Sequence, residues 1–137
     1  MKLIQSVLKQ GNQGDEVVNL HYVLFFIKQK LNDSVINGLF DDIGFIGEYK
    51  KDVFEKLYDR ATTKLIVTFQ QQLQVQNYRE GVVDNPTAEM FNEILRKYNG
   101  LEIDKPEGYP FKVSDENNEN PNESWRRVYG VVRNEFG

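Results

Sequence analysis

The sequence predicts a mainly α-helical domain: a three-helix bundle with a long excursion after its first helix and an irregular C-terminal tail containing one β-strand. Three observations point there. Apolar residues recur at steps of three and four in three separate segments, the spacing of one helix face. Each of these segments is preceded by a Gly or Asp turn signal suited to a helix start. Clear strand-like alternation comes only near the end, over 126–133. A chain of 137 residues holds one domain with a real core and is too short for two full domains and a linker.

The first helix is predicted over 15–31. Gly11-Asn12-Gln13-Gly14 is a turn signal and Asp15 a capping residue. Val17, Leu20, Leu24, Ile27 and Leu31 then form the inner stripe, widened by Val18, Tyr22, Phe25 and Phe26. Residues 32–57 read as a long, partly ordered excursion. Asn32-Asp33-Ser34 and Asn37-Gly38 are breakers, Gly44 and Gly47 interrupt further on, and only 49–57 suggests a short helix.

The second main helix is predicted over 59–75. Asp59 is its cap, Thr62 stands three residues later, and Leu65, Ile66, Phe69 and Leu73 face inward. Gln70, Gln71, Gln72, Gln74 and Gln76 are placed mostly on the outer side. After a turn at Tyr78-Arg79-Glu80-Gly81 and a minimal strand at Val82-Val83, Asp84-Asn85-Pro86-Thr87 opens a third helix, 85–98. Its inner face is Met90, Phe91, Ile94 and Leu95, and Asn99-Gly100 stops it. Asp-x-x-Thr thus opens two helices, a weak internal repeat. Leu20, Leu24, Leu65, Phe69, Ile94 and Leu95 are the predicted centre of the core.

Beyond Gly100 the composition changes. Residues 101–125 read as a linker, and 114–124 is almost wholly polar. Residues 126–137 read as a strand and the approach to a turn. A lone strand is not stable, so the expectation is that it begins a following β-sandwich domain of a longer protein. The alternative is that it folds back onto Val82-Val83 or the excursion.

A net charge of −4 and a pI near 5.1 argue against nucleic acid as the partner, since binding a phosphate backbone needs a basic face. The absence of cysteine excludes disulfides, thiolate metal sites and a cysteine nucleophile. The longest apolar run, 22–27, is far short of the ~20 residues that span a bilayer, so no membrane insertion is expected. The N-terminus turns polar too soon for a signal peptide.

No catalytic set is apparent, no metal site is expected and no cofactor is implied. His21 is the sole histidine and reads as a polar helix-packing contact. Asp41-Asp42 and Asp115-Glu116 are adjacent pairs, which do not hold two carboxyls at the fixed gap that glycosidase chemistry requires. The acidic run 115–123 does not fit a calcium loop and reads as solvated linker. For ligand contact the residue types favour Tyr58, Arg60, Tyr78 and Arg79, which can stack or pair with a carboxylate. For a protein partner they favour the excursion's apolar residues Leu39, Phe40, Ile43, Phe45 and Ile46.

Three stretches together resemble the peptidoglycan-binding domain family over about residues 7–96. Leu8-Lys9-Gln10-Gly11-Asn12-Gln13-Gly14-Asp15-Glu16-Val17-Val18-Asn19-Leu20-His21 is similar to the family's opening, Leu-x-x-Gly-x-x-Gly-x-x-Val-x-x-Leu-Gln. Leu57-Tyr58-Asp59-Arg60-Ala61-Thr62 leading to Phe69-Gln70 resembles its aromatic-Gly-x-x-Thr followed by Phe-Gln. Glu80-Gly81-Val82-Val83-Asp84-Asn85-Pro86-Thr87 leading to Leu95 resembles its closing Asp-Gly-x-Val-x-x-x-Thr and leucine. His21 stands where glutamine is usual, Asp59 where glycine is, and the excursion lengthens the first connection. The resemblance implies a non-catalytic module, 1–100, that binds peptidoglycan glycan or stem peptide, extracellular or associated with the cell envelope. The alternative is a structural or docking domain for another protein of a larger exported assembly, such as a toxin complex or injection apparatus.

Overall fold

Gly14, at φ 110°, turns the chain into α1, Asp15–Leu31. The left-handed φ suits glycine. Asp15 is therefore the first helical residue and not the cap, and with Glu16 it places negative charge at the positive end of the helix dipole. Val17, Leu20, Leu24, Phe26 and Ile27 of the predicted face are buried, with Val23 besides, while Val18, Tyr22, Phe25 and Leu31 are half-buried. Asn32, in the left-handed region, ends the helix.

The computed structural model describes residues 1–110. The strand expected over 126–137 and the linker from residue 111 on lie outside the described residues. The described helices all belong to one compact unit, Met1–Pro106, which extends past the expected boundary at 100 through a 3₁₀ turn, Gly100–Glu102, to a buried Pro106.

The excursion is not partly ordered. It forms α2, Ser34–Phe40, and α3, Ile43–Phe54. Of the residues that read as breakers, Asn32 and Asp33 are helix caps, and Asn37, Gly38, Gly44 and Gly47 lie within the helices. Asp33 accepts from the amides of Val35 and Ile36 at 3.1 and 3.0 Å, and Asp42 accepts from that of Phe45 at 2.9 Å. Phe45, Tyr49 and Val53, four apart, are α3's buried face. Both helices pack on the next one, α4, and on each other. A run of rings stitches them to α1: Phe25 meets Phe40, Phe40 meets Phe45 and Tyr49, and Tyr49 meets His21, with centroids 5.2–6.4 Å apart.

Helix α4, Arg60–Gln72, opens after Asp59, but the Asp59 carboxylate does not cap it. It accepts from Gln10 instead, at 3.1 Å. The cap comes from α3. Asp52 Oδ2 accepts from the Asp59 amide (3.2 Å), the Thr62 amide (3.0 Å) and the Thr62 hydroxyl (2.6 Å). At α5, Asn85–Lys97, the predicted device works locally: Asp84 accepts from the Thr87 hydroxyl at 2.7 Å and amide at 3.4 Å. Burial alone would raise the Asp84 pKa; the amide of Arg79 and the Thr87 donors outweigh it and hold the carboxyl below its usual value.

Gln70, expected on the surface, is fully buried. Its amide nitrogen donates to the carbonyls of Arg79 and Val82 and the hydroxyl of Thr87 at 3.1, 2.8 and 3.0 Å, and its oxygen accepts from the Gly81 amide at 3.0 Å. The turn so held presents Val83, which pairs antiparallel with Leu8. The N-terminal segment lies against α1 and α5 through two asparagines acting as strand partners. Asn19 bonds both the amide and the carbonyl of Lys2, and Asn92 bonds both of Ile4, all at 2.8–3.0 Å.

Leu20, Leu24, Leu65, Phe69, Ile94 and Leu95 are all buried, as predicted. Phe69 meets Phe91 of α5 edge-on at 5.8 Å. Phe69→Ala is expected to cost about 3–5 kcal/mol, the range for emptying a buried aromatic site, in urea unfolding. A loss below about 1 kcal/mol would contradict this placement.

Candidate functional site

Helices α3 and α4 leave a cleft between their N-terminal halves. Gly44 and Glu48 stand one turn apart on α3, and Arg60 and Lys64 one turn apart on α4. With Phe45 and Ala61 they line a space of about 400 Å³. Phe45 is only 7% exposed, because its ring stacks on Tyr49 with centroids 5.5 Å apart and planes 13° from parallel. Gly44 contributes no side chain, and a Cβ added there would meet only Asp42 Oδ1, at 3.3 Å. The cleft therefore has a covered apolar floor and charged walls, two cations against one carboxylate. Among the described residues, none of these three charged side chains is held in a hydrogen bond or ion pair.

Two larger recesses, about 520 and 500 Å³, flank the segment 2–8. In both, Asn19 and Asn92 hold the N-terminal segment and the Ser6 hydroxyl donates to Glu16 at 3.1 Å; Glu89, Glu93 and Arg96 also line the second. The α3–α4 cleft is the candidate site because it sets Arg60 and Lys64 against Glu48 over a covered aromatic ring.

Of the predicted ligand contacts, Arg60 lines this cleft. Tyr58 does not reach a surface at all. It is fully buried, and its hydroxyl donates to the Gly81 carbonyl at 2.6 Å. Burial, with Asp84 nearby, pushes its phenol far above the ordinary value, so it stays a donor. The expectation that Tyr58 stacks on a ligand is thereby corrected: the fold uses this aromatic residue beside a helix start as core. Tyr78 is half-buried and Arg79 exposed on the turn before α5, away from the cleft lining. The Arg79 backbone is structural, its amide donating to Asp84 at 2.6 Å.

The apolar residues of the excursion separate in the same way. Phe45 is buried, and Leu39, Phe40 and Ile46 are half-buried. These four are mainly added core, not an exposed apolar patch. The Lys28 ammonium lies 5.0 Å from the Phe40 centroid, and burial lowers its pKa against the opposing effect of Asp41. Ile43 alone projects, 87% exposed, joined on α3 by Phe54 at 67%. Glu48 and Lys64 were not singled out from sequence. The signal that would have found them is the pair of i, i+4 spacings, Gly44/Glu48 and Arg60/Lys64, which is legible only once 43–54 is recognised as a helix.

His21 is fully buried in structure rather than chemistry. Nε2 donates to the Leu57 carbonyl at 3.0 Å, which fixes the tautomer, and Nδ1 accepts from the Tyr49 hydroxyl at 2.8 Å. Asp42 of the acidic pair is a helix cap, and Asp115 and Glu116 lie outside the described residues. Among the described residues no three His, Asp or Glu side chains converge as a metal site, and no helix is long and apolar enough to cross a membrane. Comparison of the chain with protein-family models, curated proteins and solved structures finds no match.

Burial lowers the His21 pKa to about 4, opposed by its bond to Leu57 and by the charge of Asp52. Because the folded value lies below the unfolded one, only the unfolded state takes up the proton between about pH 6.5 and 4. The neutral ring's contribution is complete above that window and lost as pH falls through it, a drop of about 3 kcal/mol. Unfolding titrations at pH 7 and 4 are expected to show this drop in the parent and to lack it in His21→Gln, where the acidic groups common to both cancel. Equal slopes would show that the imidazole is not held neutral.

Proposed function

We propose that the chain is a non-catalytic binding module for peptidoglycan, working outside the cell or at its envelope. The observation that supports this most is the α3–α4 cleft, where unengaged cations and a carboxylate meet over an apolar floor. Such a surface recognises charged, peptide-bearing polymer and offers no nucleophile or rigid acid pair for hydrolysis. The sequence resemblance supports the same reading, and so does the helical fold built on the Leu8–Val83 pairing.

The purified chain is expected to sediment with insoluble peptidoglycan at low salt, to do so less at high salt, and to release no soluble muropeptides. Exposed charge pairs are screened over about 10 Å at 0.1 M ionic strength, which sets the direction. Absence from the pellet at every salt concentration would end the reading.

A second reading is a docking domain of a larger exported assembly. It is favoured by Ile43 and Phe54, eleven positions apart on α3 and hence within roughly 20° of one another around the helix. The double substitution Ile43→Ser/Phe54→Ser is expected to change stability by no more than about 0.5 kcal/mol, because neither side chain is packed. In the docking reading it abolishes association with the partner protein while leaving sedimentation with peptidoglycan unchanged. A stability loss well above that figure would assign both residues to the core.

A further inference from the structure

We propose that the α3–α4 cleft takes an acidic peptide end, carrying more carboxylates than amines, and not a sugar ring. The inference rests on the binding-module reading for its setting and goes beyond it in naming the ligand's chemistry.

The walls argue first. A sugar ring gains most of its apolar contact by lying on an open aromatic face. Here the cleft's ring, Phe45, has its face against Tyr49 and almost no exposure. The polar side chains on offer are all ionic: Arg60 and Lys64 on α4, Glu48 on α3. A carboxylate meets such cations with opposite charge, and at Arg60 with two parallel bonds, whereas a sugar hydroxyl offers a single neutral acceptor, so the cleft discriminates for carboxylate over sugar.

The balance of charge argues second. A simple anion placed between Arg60 and Lys64 would also face Glu48. A ligand with two carboxylates and one ammonium satisfies both walls, its amine toward Glu48 and its carboxylates toward the cations. Because none of the three is paired with another described residue, binding breaks no ion pair among the described residues.

Shape argues third. About 400 Å³ lies in the lower part of the ~300–1,000 Å³ range of small-molecule sites and suits a short peptide end. At Gly44 the α3 wall carries no side chain, and the nearest atom to a Cβ placed there is Asp42 Oδ1 at 3.3 Å.

The probe is the dipeptide Glu-Ala, with its C-terminal amide and its N-acetyl form as controls, titrated into the ¹⁵N-labelled chain. Saturable shifts are expected at the amides of Gly44, Phe45, Glu48, Arg60 and Lys64. Amidation of the ligand, Arg60→Gln or Lys64→Gln should each weaken binding about tenfold, the scale of one charge-assisted contact. Glu48→Gln should weaken the free-amine dipeptide and should not weaken the N-acetyl form, whose carboxylates it relieves of a like charge. Gly44→Leu should block the cleft, and the same spectra report whether each variant stays folded.

The proposal is overturned if those amides do not shift, if the amidated dipeptide binds equally well, or if an N-acetylglucosamine oligomer shifts them more strongly. Sedimentation separates the two readings. If Arg60→Gln and Gly44→Leu still pellet with peptidoglycan and the dipeptide does not bind, this inference fails and the module reading stands. If the dipeptide binds in the cleft and the parent chain never pellets, the module reading fails and the site stands.

Discussion

The buried carboxamide of Gln70 is the constraint on which the C-terminal half of the fold depends. One side chain on α4 fixes the carbonyls of Arg79 and Val82, the amide of Gly81 and the hydroxyl of Thr87. The turn it holds aligns Val83 with Leu8 and sets Asp84 at the start of α5. The Tyr58 hydroxyl closes the same turn from the other side at Gly81, whose left-handed φ of 78° favours glycine. A buried amide is costly to leave unsatisfied, by about 1–3 kcal/mol for each lost partner, so the turn and the helix stand or fall together.

The core was legible because periodicity is a sum over many residues. Leu20 and Leu24 on α1, Leu65 and Phe69 on α4, and Ile94 and Leu95 on α5 each recur with their neighbours, so one irregular position does not hide the face. Polar residues offer no such redundancy. Gln70 sits in a tract of glutamines, most of which are exposed, and only the tertiary position of the 79–83 turn distinguishes it. Asn19 and Asn92 likewise look like surface residues until the N-terminal segment is laid between them.

The excursion was misread for a related reason. Asn32-Asp33-Ser34 and Asp41-Asp42 are residues that stop helices and also residues that start them. Read as stops they imply a loop. Read as starts they give Ile36 on α2 and Phe45-Tyr49-Val53 on α3 as buried faces. The candidate site inherits the ambiguity: Arg60 was identifiable from its charge beside a helix start, whereas Glu48 and Gly44 matter only because α3 is a helix laid against α4.

The cap that Asp52 lends to α4 has a consequence for how the molecule opens. Helices normally carry their own start signal and fray independently. Here the first turn of α4 takes its acceptor from α3, through the Thr62 hydroxyl and two amides. Undocking the α2–α3 pair would uncap the helix that carries Phe69 and Gln70, and so would disturb the core and the Gln70 turn at once. Helices α2 and α3 are thereby coupled to the bundle, and their slowest amide hydrogens are expected to exchange with those of α4 rather than by separate local opening.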